Sequence, residues 1–169
     1  MQHSNGRPLV FLDTNVVAAY LRGESPSSEL FSDEILEKVH LAINSIVLQE
    51  LFFLAETHQH PEIINEIQQE VSLLPLNFEK AEEYLKYAAN LRNQMVHSND
   101  VLILSSAAEC DYLVTYDQAL RKTLSSLSSN KPQVVTPEQL LSQLGSKVGN
   151  SSIPHHPITL KHYSNGHIG

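Results

Sequence analysis

Short uninterrupted apolar runs, separated by stretches with helical patterning, restrict the fold of this chain more than any other feature. Leu9-Val10-Phe11-Leu12, Leu41-Ala42-Ile43, Leu73-Leu74-Pro75-Leu76, Tyr112-Leu113-Val114-Thr115 and Val134-Val135 recur along the sequence with helical segments between them. A run that is apolar without alternation suits a strand covered on both faces. Strands alternating with helices form a parallel sheet with helices packed above and below it. The expected fold class is therefore α/β, a three-layer α/β/α arrangement around a central five-stranded parallel sheet.

The intervening segments carry their own start and stop signals. Helices are expected over Val16–Leu21 and roughly Ser27–Val39, with Gly23 and Pro26 between them. Asn44 or Ser45 caps a helix running to about Thr57, and Pro61 suits the first turn of another that ends near Ser72. Phe78 to about Met95 is amphipathic, with Ala81, Tyr84, Leu85, Ala88 and Leu91 at spacings of three and four. Further helices are expected over Asp100–Cys110 and about Gln118–Leu124. Thr136-Pro137-Glu138-Gln139 has the cap, first-turn proline and glutamine offsets of a last helix that stops at Gly145. Pro75 favours an edge position for the third strand.

The 169 residues are enough for one domain, taken here as residues 1–145. From residue 146 to 169 the composition turns to Ser, Asn, Gly, Pro and His, and this tail is expected to be disordered. No apolar run approaches the ~20 residues of a membrane helix. The polar start and the brevity of Leu9–Leu12 argue against a secretory signal. Cys110 is the only cysteine, so it makes no internal disulfide and reads as packing. A soluble cytoplasmic protein is expected.

Net charge is −8, from 19 acids against 11 Lys and Arg. That balance argues against affinity built by wrapping phosphate in basic side chains, unless the acids converge on divalent cations that supply positive charge locally. Four acids stand where the pattern calls for something else. Asp13 ends the first strand and Asp117 follows the fourth, both at the carboxyl edge, where open parallel sheets place their sites. In a doubly wound sheet these strands are neighbours, and the two acids flank one crevice. Glu50 has Ile46, Val47, Phe53 and Leu54 three and four residues away, so it interrupts an apolar stripe. Asp100 continues the stripe of Ile103, Leu104, Ala107 and Ala108. Asp111 starts its strand on the opposite side and is set apart.

Each acid has a plainer reading: Asp13 and Asp100 as helix caps, Glu50 as a hydrogen-bonded buried acid, Asp117 as an Asx-turn residue. Together they form a set that repels itself and must take up protons or bind cations. Oxygen-only ligands suit Mg²⁺ or Mn²⁺. Such an ion lowers the pKa of a bound water and stabilises charge developing on phosphate, which is the equipment for phosphodiester hydrolysis.

Leu12-Asp13-Thr14-Asn15, Leu48-Gln49-Glu50-Leu51, Asp100-Val101-Leu102-Ile103 with Ala107-Ala108, and Leu113-Val114-Thr115-Tyr116-Asp117 resemble the four acidic motifs of PIN-domain nucleases, in the family's order and across roughly residues 8–144. The resemblance implies a strand order of 3-2-1-4-5 and a Mg²⁺- or Mn²⁺-dependent endoribonuclease, as in the toxin half of many bacterial toxin–antitoxin pairs. It carries over Asp13, Glu50, Asp100 and Asp117 as catalytic metal ligands, with Thr14, Asn15 and Thr115 supporting them. One departure is that Gln118-Ala119-Leu120 offers no further acid after Asp117, where some members have one. An RNA substrate, an antitoxin partner and a homodimer are implied in turn. Val17, Tyr20, Leu30 and Phe31 are candidates for the face an antitoxin covers.

Two other functions compete. One is a catalytically silent PIN-like module that binds RNA or a protein, which the acidic balance favours. The other is a phosphatase of the haloacid-dehalogenase class, which wants a second Asp where Asn15 stands. His58 and His60, and the histidines of the tail, lack the spacing and partners of a zinc site. Arg121-Lys122 reads as a solvated helix face. Phe52-Phe53 with Tyr84 and Tyr87 read as core or a protein interface.

Overall fold

The computed structural model describes residues 6–90, 98–125 and 130–145. Five parallel strands, β1 (Leu9–Leu12), β2 (His40–Asn44), β3 (Ser72–Leu74), β4 (Tyr112–Val114) and β5 (Gln133–Val135), form one sheet in the order β3-β2-β1-β4-β5. This is the three-layer α/β/α arrangement expected from the strand–helix alternation. The helices are α1 (Thr14–Leu21), α2 (Asp33–Leu36), α3 (Ser45–Phe52), α4 (Ala55–Gln59), α5 (Ile63–Glu70), α6 (Phe78–Asn90), α7 (Ser98–Ala107), α8 (Gln118–Ser125) and α9 (Pro137–Gln143).

The central strand β1 is buried along its whole length, as its unbroken apolar run requires. It lies parallel between β2 and β4, with Phe11 opposite Ala42 on one side and Leu113 on the other. The ladder continues one step past the strand, because the Asp13 amide donates to the Val114 carbonyl at 3.0 Å. The backbone that carries Asp13 is thereby locked to the backbone that leads to Asp117.

Two helices are shorter than their patterns suggest. The stretch Ser27–Val39 divides into a 3-10 turn, Ser27–Phe31, and α2. Ser32 between them is extended (φ −72°, ψ 149°), and its hydroxyl donates back to the Glu29 carbonyl at 2.8 Å, a local bond that competes with helix continuation. The helix expected to reach Thr57 ends at Phe52 instead. There the Phe53 and Leu54 amides bond back three residues, to Glu50 and Leu51, and this tightened last turn breaks the run before α4. β3 begins at Ser72, where a helix end was expected, and stops before Pro75. It occupies an edge of the sheet, as the proline suggests. The expected extension of α6 to Met95, and the tail 146–169, lie outside the described residues.

Asn44 ties three elements together. Its Oδ1 accepts from the Ile46 and Val47 amides at 3.1 and 3.0 Å and caps α3. Its Nδ2 donates to the Leu102 carbonyl and to Ser106 Oγ at 3.1 and 3.0 Å on α7. At the sheet's amino edge, Asp111 accepts from the Leu9 amide at 2.8 Å and from Lys131 Nζ at 2.7 Å, so it serves the strands far from Asp13. Thr136 and Gln139 form the expected capping box of α9, and Gly145 ends that segment with φ +76°. Cys110 is fully buried, and burial pushes its thiol up to about 12, with the charges of Asp111 and Glu109 adding to the rise.

Candidate functional site

Asp13 follows β1 and caps α1, its Oδ1 accepting from the Thr14 amide at 2.8 Å. Its other oxygen accepts from Thr115 Oγ1 at 2.6 Å and from Asn15 Nδ2 at 3.3 Å. Asn15 also donates to Thr115 Oγ1 at 3.4 Å and accepts from the Tyr116 amide at 3.2 Å. Thr14, Asn15 and Thr115 therefore surround Asp13 with donors, and Thr115 is completely buried.

Glu50 comes to the same place from α3. Thr14 Oγ1 donates to its Oε2, while Asn99 Nδ2 donates to its Oε1 at 3.0 Å. Thr14 thus addresses two acids at once, Asp13 with its amide and Glu50 with its hydroxyl. Glu50 stands at the margin of the apolar stripe its neighbours in sequence suggest, with Ile46 and Leu54 packed partly buried against the core. The inward residues of α3 are Val47 and Leu51, Phe53 is 73% exposed, and Glu50 sits partly buried at the rim. Asp100 is the third residue of α7, not its cap, and it prolongs the inward line of Ile103, Leu104 and Ala107.

The electrostatics join these three acids. Burial pushes the Asp13 carboxyl up from 3.8 to about 6, against the hydrogen bonds from Thr115 and Thr14 that pull it down. The negative charges of Asp100 and Glu50 raise it further. Asp117 stands apart from this set. Its Oδ1 accepts from the Ala119 and Leu120 amides at 2.8 and 3.0 Å, capping α8, and its own amide donates to Thr115 Oγ1 at 3.0 Å. It reaches Asp13 through the Thr115 hydroxyl and plays the cap role that its position after β4 allows.

Among the described residues, no group of three or more His, Cys, Asp or Glu side chains is close enough together to hold one metal ion directly. The donor chemistry nonetheless fits Mg²⁺ or Mn²⁺. All the acids offer oxygen, and Mg²⁺ is commonly bound by one or two carboxylates with several waters retained. Three mutually repelling carboxylates, one of them buried, provide the negative charge such an ion offsets.

Asn99 escaped sequence reasoning, which offered Asp100 itself as the helix cap and gave Asn99 no role. The face proposed for an antitoxin is corrected as well. Val17, Tyr20, Leu30 and Phe31 are all core residues, and Tyr20 stacks on Phe31 with ring centroids 3.8 Å apart. In α1 every residue from Val16 to Leu21 is buried, so an apolar pattern there marks no outward face. Among the described residues, the large apolar ones left exposed are Phe52, Phe53, Leu73, Phe78 and Leu85, and Tyr84 is partly buried. Of the other sequence candidates, His58 is exposed, His60 meets Glu62 at 3.3 Å, Arg121 is partly buried and Lys122 is exposed. No helix among the described residues is long and apolar enough to cross a membrane.

Among the solved structures that resemble the chain in fold are the following three. VapBC2 from Rickettsia felis, bound to a DNA fragment from their promoter, is 18% identical with a TM-score of 0.60, over 76% of this chain and 98% of that one. VapBC-1 from nontypeable Haemophilus influenzae is 22% identical with a TM-score of 0.55, over 77% and 98%. FitAcB from Neisseria gonorrhoeae is 18% identical with a TM-score of 0.52, over 76% and 98%. No curated protein matches the chain. The PIN domain model matches residues 10–124, a stretch that runs from within β1 into α8 and holds all four acids. With that match over more than half of its length and its sheet in the order 3-2-1-4-5, the chain belongs to the PIN domain family, whose members are generally nucleases.

Proposed function

We propose that this protein is a divalent-metal-dependent endoribonuclease that hydrolyses RNA phosphodiester bonds in the cytoplasm, as the toxin of a toxin–antitoxin pair. Residues 1–145 are its nuclease domain, with 146–169 an appendage. The observation that carries the reading is Asp13, buried at the carboxyl edge, pushed up to about 6 and facing the charges of Asp100 and Glu50. Asp13, Glu50, Asp100 and Asp117 would surround Mg²⁺ or Mn²⁺, one or two of them bound to it directly and the others, Asp117 among them, through retained waters. Bound there, the ion supplies a water of lowered pKa and positive charge opposite the phosphate. The chain's own work is positional. Thr14 and Thr115 donate to Asp13, one to each oxygen, and so fix the plane of its carboxylate at the carboxyl edge of the sheet. Asn15 buttresses Thr115 and the Tyr116 amide, so the segment leading to Asp117 keeps its distance from β1.

The test is cleavage of a mixed structured and single-stranded RNA pool with Mg²⁺, with Mn²⁺ and with EDTA. Wild-type cutting should depend on the ion, and Asp13→Asn and Asp100→Asn should each abolish it with the fold retained. Undiminished cutting by either variant defeats the assignment.

The VapBC and FitAcB likenesses support a protein partner of the antitoxin type. Phe52, Phe53, Phe78 and Leu85 are the apolar residues such a partner, or a second copy of the chain, would cover. Light scattering of the pure protein, and copurification with the product of a neighbouring gene, distinguish the two occupants.

The second reading is a catalytically silent binding module. It draws on the net charge of −8 and on the cap role of Asp117. It requires that the folded protein take up no Mn²⁺.

A further inference from the structure

We propose that Asn99 is a positioning residue for Glu50, setting the plane of its carboxylate and its separation from Asp100. The inference rests on the metal-dependent reading above. Glu50 is gripped at both oxygens, by Thr14 Oγ1 on Oε2 and by Asn99 Nδ2 on Oε1 at 3.0 Å. A carboxylate with a donor on each oxygen loses the rotation of its terminal bond, the one freedom that helix packing leaves undefined. The donors come from two different helices, both of which pack against α3. Thr14 opens α1, directly after Asp13, while Asn99 stands in the first turn of α7, directly before Asp100. The Asn99 bond therefore spans from α7 to α3 and links the backbone carrying one acid to the side chain of another.

Its chemistry suits that task. An amide is a neutral donor and holds a carboxylate without cancelling its charge, whereas Lys or Arg would bring a cation to compete with the divalent ion. The side chain is exposed, so no packing demand accounts for its contact with Glu50. Groups that orient a metal's ligands typically change metal affinity about 10- to 100-fold when removed. Asn99 shares the load with Thr14, which places it at the lower end, about 10-fold.

The test combines two readouts, neither of which is cleavage. In full-length protein labelled with ¹⁵N-asparagine, the Asn99 side-chain amide is identified by its loss in Asn99→Ala. It should shift on Glu50→Ala, and an amide indifferent to that substitution overturns the contact. Mn²⁺ affinity, measured by calorimetry, should fall about 10-fold in Asn99→Ala and return to within a few-fold of wild type in Asn99→Gln. In the Glu50→Ala background, Asn99→Ala should cost nothing further. Equal Mn²⁺ affinity for wild type and Asn99→Ala overturns the positioning role alone. A wild type that takes up no Mn²⁺ overturns the metal-dependent reading and this inference with it.

Discussion

Asp13 carries a cost that the metal-free protein must bear. Its carboxyl is raised from 3.8 to about 6, so the folded chain holds that proton more tightly than the unfolded chain does. Stability from this group is therefore greatest at acid pH and is lost as pH rises from about 4 to above 6. The loss corresponds to roughly 3 kcal/mol at pH 7. Asp13→Asn keeps an acceptor for the Thr14 amide and removes the charge. In EDTA it should melt several degrees above wild type at pH 7.5, with the gap closing by pH 4. Thermal melts across pH measure this, and a variant less stable than wild type at pH 7.5 contradicts it. Asp117 calls for a different pair of substitutions, because its carboxylate caps α8. Asp117→Ala should cost about 1 kcal/mol and Asp117→Ser very little. Cleavage by the serine variant should fall less than in Asp13→Asn, since Asp117 is not among the charges that raise Asp13. Thr14 gives the sharpest contrast: serine keeps both its donors and should preserve activity, whereas valine keeps only the amide and should lose it.

At the scale of elements, the crevice is held by bonds between neighbours rather than by any one helix. Asn44 is fully buried and serves β2, α3 and α7 together. Asn44→Ala leaves the α3 amides, the Leu102 carbonyl and Ser106 without this partner. It should destabilise the fold by roughly 2–3 kcal/mol, read by denaturant unfolding. Strands and caps were legible because they rest on local chemistry: unbroken apolar runs for β1 and β2, and Thr136 with Gln139 for the α9 capping box, whereas the strand order came only from the resemblance of the four acidic motifs. Breaks at Ser32 and Phe53 were not legible, because a serine bonding backward and a tightened last turn leave no mark in apolar spacing. The site was legible as far as its acids break a pattern. Asn99 was hidden because its partner Glu50 is 49 residues away and its own surroundings in sequence are unremarkable. The inward turn of Val17 and Tyr20 was hidden for the opposite reason, since α1 is apolar on every side.

Taken whole, the molecule is an acidic protein proposed to act on an acidic polymer. With a net charge of −8, little of its affinity for RNA can come from displacing counterions with basic side chains. RNA binding by the Asp100→Asn variant should therefore show a shallow dependence on monovalent salt, equivalent to about one to three phosphate contacts. Filter binding at several salt concentrations measures the slope, and a slope near that of a basic groove contradicts this picture. The two outer strands of the sheet, β3 and β5, are three residues long, and the longest strands lie toward the interior. So short an edge exposes few unpaired amides and carbonyls, which makes it a poor template for stray chains to add to. Like charge between copies works in the same direction. Concentrated stocks should resist fibril growth, and any self-assembly should proceed through helices and their exposed phenylalanines rather than through extension of the sheet.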